Sequence, residues 1–150
     1  MALGWLASSV PSRAWIVTVP VATRSSTRCP ARILRAGSEY SDASKETYLY
    51  FEARQDGSYY IAHRAGTEVH KLVEWTPNAA VKKIDDAPNA SNELAIKVAA
   101  DSVRFIANGT QVHALPRGAM LGDMSGQVGV RVNHNLDVHV GSFTVKAGGK

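Results

Sequence analysis

Short alternations of apolar and polar residues run from position 92 to position 145, separated by turn residues. Leu94, Ile96 and Val98 alternate with Glu93, Ala95 and Lys97, and Val103, Phe105 and Ala107 with Ser102, Arg104 and Ile106. Val128, Val130 and Val132 keep the same period, as do Leu136, Val138 and Val140. A strand turns successive side chains to opposite faces, so this period marks ribbons with one buried side. The pattern predicts strands over 47–54, 58–63, 68–75, 92–99, 102–107, 110–114, 127–132 and 136–145. In the first of these, Leu49, Phe51 and Ala53 share one face, and Tyr48, Tyr50 and Glu52 the other.

The turns fit the strands. Gln55-Asp56-Gly57 closes a first hairpin, and Asn108-Gly109 is the pair favoured where both central residues need positive φ. Residues 76–91 read as a surface connection with one helical turn near 79–83, and 116–126 as a flexible connection. Asn133-His134-Asn135 is expected to join the last two strands as a hairpin. Apolar parity slips between Val140 and Phe143, which predicts a β-bulge at Gly141. The fold class is therefore all-β, an antiparallel sandwich.

Charge divides the chain in two. The net of +4 comes from residues 1–36, which carry Arg13, Arg24, Arg28, Arg32 and Arg35 and no acid. From 37 to 150 the other 12 of the 17 Lys and Arg residues face all 13 Asp and Glu, a net of −1. A nucleic-acid surface concentrates cations on the folded part, so that class of partner is set aside. Residues 1–36, broken by Pro11, Pro20 and Pro30, read as a basic extension, with residues 37–150 as the sandwich domain. A secretory signal, an organellar transit segment and an unstructured extension all fit the first part, the last of them best. Cys29 stands alone, and no stretch approaches the ~20 apolar residues of a membrane span.

Three phrases carry a resemblance: YLYFEARQDGSYYIAHRAG (48–66), NELAIKVAADSVRFIANGTQVHALP (92–116) and GQVGVRVNHNLDVHVGSFTV (126–145). They resemble the C-terminal half of the concanavalin A-like lectin/glucanase jelly roll, in the bacterial form described as 3-keto-disaccharide hydrolase-like or laminin-G-like. The resemblance covers residues 41–147. It implies a jelly roll incomplete at its N-terminal side, a periplasmic or secreted location, and a carbohydrate ligand. An incompletely covered edge implies self-association.

Sugar sites combine ring faces for C–H groups with amides and carboxylates for hydroxyls. Tyr48, Tyr50, Tyr59 or Tyr60, and Trp75 are the candidate rings, with Glu52, Arg54 and His70 as polar partners. Packing at a sheet rim, with the hydroxyl in water, is the competing account of the tyrosines. Glycoside hydrolysis needs two carboxyl groups across a cleft. The Glu-x-Asp-x-x-Glu spacing of the lectin/glucanase hydrolases is missing, so no catalytic residue is assigned. The five histidines are scattered, and no metal or cofactor is expected. The sequence thus suggests a non-catalytic carbohydrate- or surface-associated module of an exported bacterial protein. A 3-keto-glycoside hydrolase or its remnant, and a structural interaction module, are the alternatives.

Overall fold

Twelve strands and no helix occur among the described residues, which are 7–10, 15–24, 31–36, 47–83, 90–118, 120–132 and 137–147 of a computed structural model. They are β1 (Ala7–Val10), β2 (Trp15–Arg24), β3 (Ala31–Ala36), β4 (Thr47–Ala53), β5 (Ser58–Ala65) and β6 (Glu68–Pro77), then β7 (Ala90–Val98), β8 (Ser102–Ala107), β9 (Thr110–Pro116), β10 (Gly126–Val132), β11 (Asp137–Val140) and β12 (Thr144–Ala147). One sheet runs β1-β10-β3-β4-β5-β6. The other runs β11-β2-β7-β8-β9, with β12 also paired to β2. The strand pairs of both sheets are antiparallel.

The odd-numbered residues of β4 and β5 face the other sheet. Leu49, Phe51, Tyr59 and Ile61 pack with Leu94, Ile96 and Val98 of β7 and with Val103, Phe105 and Ala107 of β8. Phe51 and Phe105 meet edge to face, 5.4 Å apart and inclined at 64°. That arrangement sets the positive edge of one ring against the negative face of the other. The period-two pattern is thus the burial pattern of a sandwich, as expected.

Residues 7–10, 15–24 and 31–36 are strands, which corrects the expectation of an unstructured extension over 1–36. β2 pairs with β7 from Trp15↔Val98 to Thr23↔Ala90, and β3 lies between β10 and β4. Position 36 therefore does not divide a tail from a domain. Trp15, Val17, Val19 and Val21 do alternate with Ile16, Thr18, Pro20 and Ala22. Pro20 hides the strand because proline has no N–H to give a ladder. The sheet admits it where the neighbouring ribbon is interrupted. β11 leaves β2 at Val140↔Val21 and β12 joins at Thr144↔Thr18. Four steps on one side match three on the other, the one extra residue of the bulge expected at Gly141.

Two other expectations are corrected. β10 pairs with β1 and β3, whereas β11 pairs with β2 in the opposite sheet, so these strands form no hairpin. The Asn133-His134-Asn135 turn lies outside the described residues. The segment after β9 is packed rather than loose: Leu121 and Met124 are buried in the core. The Arg117 guanidinium donates to the carbonyls of Leu121, Ala99 and Gly122, which holds that segment against the end of the sandwich.

Candidate functional site

The site is built on the β4–β5 hairpin. Its turn closes with Gly57 N–H donating to Arg54 O at 3.1 Å and Arg54 N–H to Ser58 O at 2.8 Å. Asp56 Oδ1 accepts from Ser58 N–H at 3.0 Å. Gly57 adopts φ +85°, and a Cβ there would lie 2.9 Å from Lys83 side-chain carbons. Glycine is needed both for the left-handed backbone and for the lysine stem that crosses it.

Hairpin register then decides which face each ring takes. Tyr48 pairs with Arg64, Tyr50 with Ala62 and Glu52 with Tyr60. Residues paired across antiparallel strands share a face. Tyr48, Tyr50, Glu52 and Tyr60 therefore lie on the outer side of the sheet. Two register shifts between β5 and β6 bring Trp75 beside Tyr60 on that same side.

The rings form a continuous row. Centroids lie 5.7 Å apart for Tyr48–Tyr50, 6.1 Å for Tyr50–Tyr60 and 5.1 Å for Tyr60–Trp75, the last pair stacked at 23°. Tyr48, Tyr50, Tyr60 and Glu52 are buried. Trp75 keeps part of its surface in solvent. The Arg54 guanidinium carbon sits 3.8 Å from the Trp75 ring centroid, within cation–π range. Its Nη1 also lies 3.7 Å from Asp56 Oδ2. A buried ring offers no face to a ligand, so the accessible end of the row is Trp75 with Arg54 and Asp56.

Two predicted site residues are not part of this row. Tyr59 lies on the core face, edge-on to Phe51 at 6.2 Å, and its hydroxyl donates to Val112 O at 3.2 Å. Burial raises its pKa. His70 pairs with His63, which pairs with Leu49, so His70 belongs to the inward side at the sheet edge. The imidazoles of His63 and His70 stack at 6.3 Å, and Glu68 Oε2 lies 3.6 Å from His70 Nε2. Burial, and then the neighbouring His70, push the His63 pKa down. No group of three or more His, Cys, Asp or Glu able to hold a metal occurs among the described residues.

Sequence reasoning left Tyr59 and Tyr60 as alternatives. The hairpin resolves them: positions 47–53 pair with 65–59 around a turn centred on Asp56, so even numbers face even numbers. Lys83 had no sequence signal, because only the fold lays its stem on Gly57.

No family model matches the chain, and no curated protein matches it significantly. Solved structures do. A sheep galectin-11 in complex with glycerol aligns at TM-score 0.66 and 15% identity, over 96% of this chain and 97% of that one. A tetrameric galectin from the ball sponge Cinachyrella aligns at TM-score 0.65 and 12% identity, over 94% and 98%. The carbohydrate binding module CBM66 of Bacillus subtilis aligns at TM-score 0.67 and 12% identity, over 94% and 77%. The fold is an antiparallel jelly-roll sandwich of the same architecture. At these identities the likeness of the chain to its neighbours is one of architecture.

Proposed function

We propose that this sandwich is a carbohydrate-binding module whose ligand meets the outer face of the β1-β10-β3-β4-β5-β6 sheet. One observation carries the reading: a row of four aromatic rings in mutual contact runs across that face and ends in the partly exposed Trp75, stacked on Tyr60 and beside a guanidinium. Trp75, stacked on Tyr60 and covered by Arg54, leaves its exposed part to apolar sugar C–H groups, while Arg54 and Asp56 supply a donor and an acceptor for hydroxyls. The galectins and the binding module of like fold support the same ligand class. The reading includes an exported or surface-associated protein of bacterial type, which rests on the resemblance of residues 41–147.

Affinity electrophoresis through gels containing individual polysaccharides tests it. Retardation in at least one gel, lost in Trp75→Ala, is the expected result. Free migration of the wild-type protein in every gel overturns the reading.

Association through a sheet edge is the second reading. Val69 on the edge strand β6 is 46% exposed. Glu68, Lys71 and Glu74 and two register shifts on that strand blunt the edge, and such features oppose strand addition. Carbohydrate binding is the better supported of the two.

A further inference from the structure

We propose that the Arg54–Trp75 end of the row selects an acidic saccharide and receives the carboxylate of a uronic acid residue. This inference rests on the carbohydrate reading above and names the ligand class for the same site. Its basis is a pair of unmet hydrogen-bond donors and a weakly paired cation at the β4–β5 turn.

Arg54 Nε and Gln55 Nε2 are both buried and have no hydrogen-bond partner among the described residues. A buried donor left without a partner is destabilising, so two in adjacent residues call for an acceptor. Both are donors only at those atoms, and neither can be satisfied by a ligand N–H. Asp56 Oδ2 lies 3.7 Å from Arg54 Nη1, with the two side chains 31% and 52% exposed. An ion pair of that length and exposure is weak and leaves the guanidinium charge available.

Further cationic charge stands close by. The Lys83 stem crosses Gly57 within this turn, and Lys82 and Lys83 are exposed. The indole adds orientation. With its central carbon 3.8 Å from the Trp75 ring centroid, the Arg54 guanidinium is held against the indole, and its N–H groups can donate charge-assisted bonds to a carboxylate. The guanidinium also occupies ring surface that a neutral sugar would stack on. The chemistry on offer therefore favours an anionic acceptor over a bare pyranose face.

The test compares tetragalacturonate with its fully methyl-esterified form, which keeps the sugar and removes the charge. Binding is read by isothermal titration calorimetry on the full chain, for the wild type, Arg54→Gln and Arg104→Gln. Arg104 is an exposed cation on β8, in the opposite sheet, and controls for general attraction of a basic protein to a polyanion. Circular dichroism checks that each variant is folded. If Arg54→Gln does not fold, the acid-to-ester ratio of the wild type and its dependence on salt decide the matter.

The expected result is about tenfold tighter binding of the acid than of the ester, the effect of one charge-assisted pair. Arg54→Gln should remove that preference and Arg104→Gln keep it. Equal binding of acid and ester overturns the inference and leaves carbohydrate binding intact. An equal loss in both variants also overturns it, because attraction would then be diffuse. Retardation by neutral polysaccharides without binding of tetragalacturonate does so too. No binding to any glycan removes both this inference and the reading beneath it.

Discussion

Asn108 and Asn92 meet side chain to side chain, with Asn108 Nδ2 donating to Asn92 Oδ1 at 2.8 Å. The same Nδ2 donates to Ala80 O at 2.7 Å, and Asn108 Oδ1 accepts from Glu93 N–H at 3.0 Å. Asn92 in turn accepts from Lys82 N–H at 2.8 Å and donates to Lys82 O at 3.2 Å. Two carboxamides thus fasten residues 80–82 to the second sheet and fix where Lys83 meets the β4–β5 turn.

That network sets the first prediction. Asn108 adopts φ +50° and Gly109 φ +80°, so position 108 asks for a left-handed backbone as well as an amide. Asn108→Gly keeps the backbone and loses the side-chain bonds, at about 2 kcal/mol. Asn108→Ala loses both and should cost about 1 kcal/mol more. Urea denaturation measures the two steps. A Gly variant as stable as the wild type would contradict the role given to the amide.

Tyr59 separates stability from binding. Its hydroxyl bonds Val112 O across the sandwich, far from the outer row. Tyr59→Phe should lose about 1 kcal/mol and Tyr59→Ala about 3–5 kcal/mol of stability. Retardation of Tyr59→Phe in polysaccharide gels should match the wild type. A selective loss of retardation would return Tyr59 to the ligand site.

His63 gives the fold a pH dependence. Its folded pKa lies below the ordinary 6.5, because burial and His70 disfavour the cation. The unfolded chain therefore takes up more protons just below 6.5. Stability is full above that value and falls as pH drops toward the lower folded pKa. Asp101 and Asp123 are held below the usual carboxylate range by the hydroxyls of Ser102 and Ser125, so they act only at more acid pH. Melting temperature followed from pH 8 to pH 5, with His63→Phe for comparison, checks this; the variant should show the flatter curve. Parallel curves would assign the dependence elsewhere.

The strands that are buried on one side were legible, because their parity is written in the residues: Val103, Phe105 and Ala107 against Arg104. β4 was legible for the same reason, although Tyr48 and Tyr50 on its second face are buried as well. β2 was missed although its apolar residues alternate, since Pro20 and the arginine-rich surroundings argue against a strand until the break at Gly141–Phe143 is known. The assignment of β10 and β11 to different sheets left no local mark, as both sequences read equally well as hairpin arms. At the site, the shared face of Tyr48, Tyr50 and Glu52 follows from their parity on β4, whereas Trp75 joins it only through the register shifts of β6, which leave no mark in the sequence. The faces of Tyr59 and His70 were not legible, because face assignment beyond a turn depends on loop length and on the register shifts of β6.

The most direct measurement is a 1H–15N correlation spectrum of the labelled protein titrated with a polysaccharide fragment that retards it. The expected result is a saturable shift of the Trp75 indole N–H and of amides in the Arg54–Gly57 turn, with Lys97 and Arg104 on the opposite sheet unmoved. Shifts gathered on β7 and β8, with Trp75 unchanged, would contradict a ligand site on the outer aromatic row.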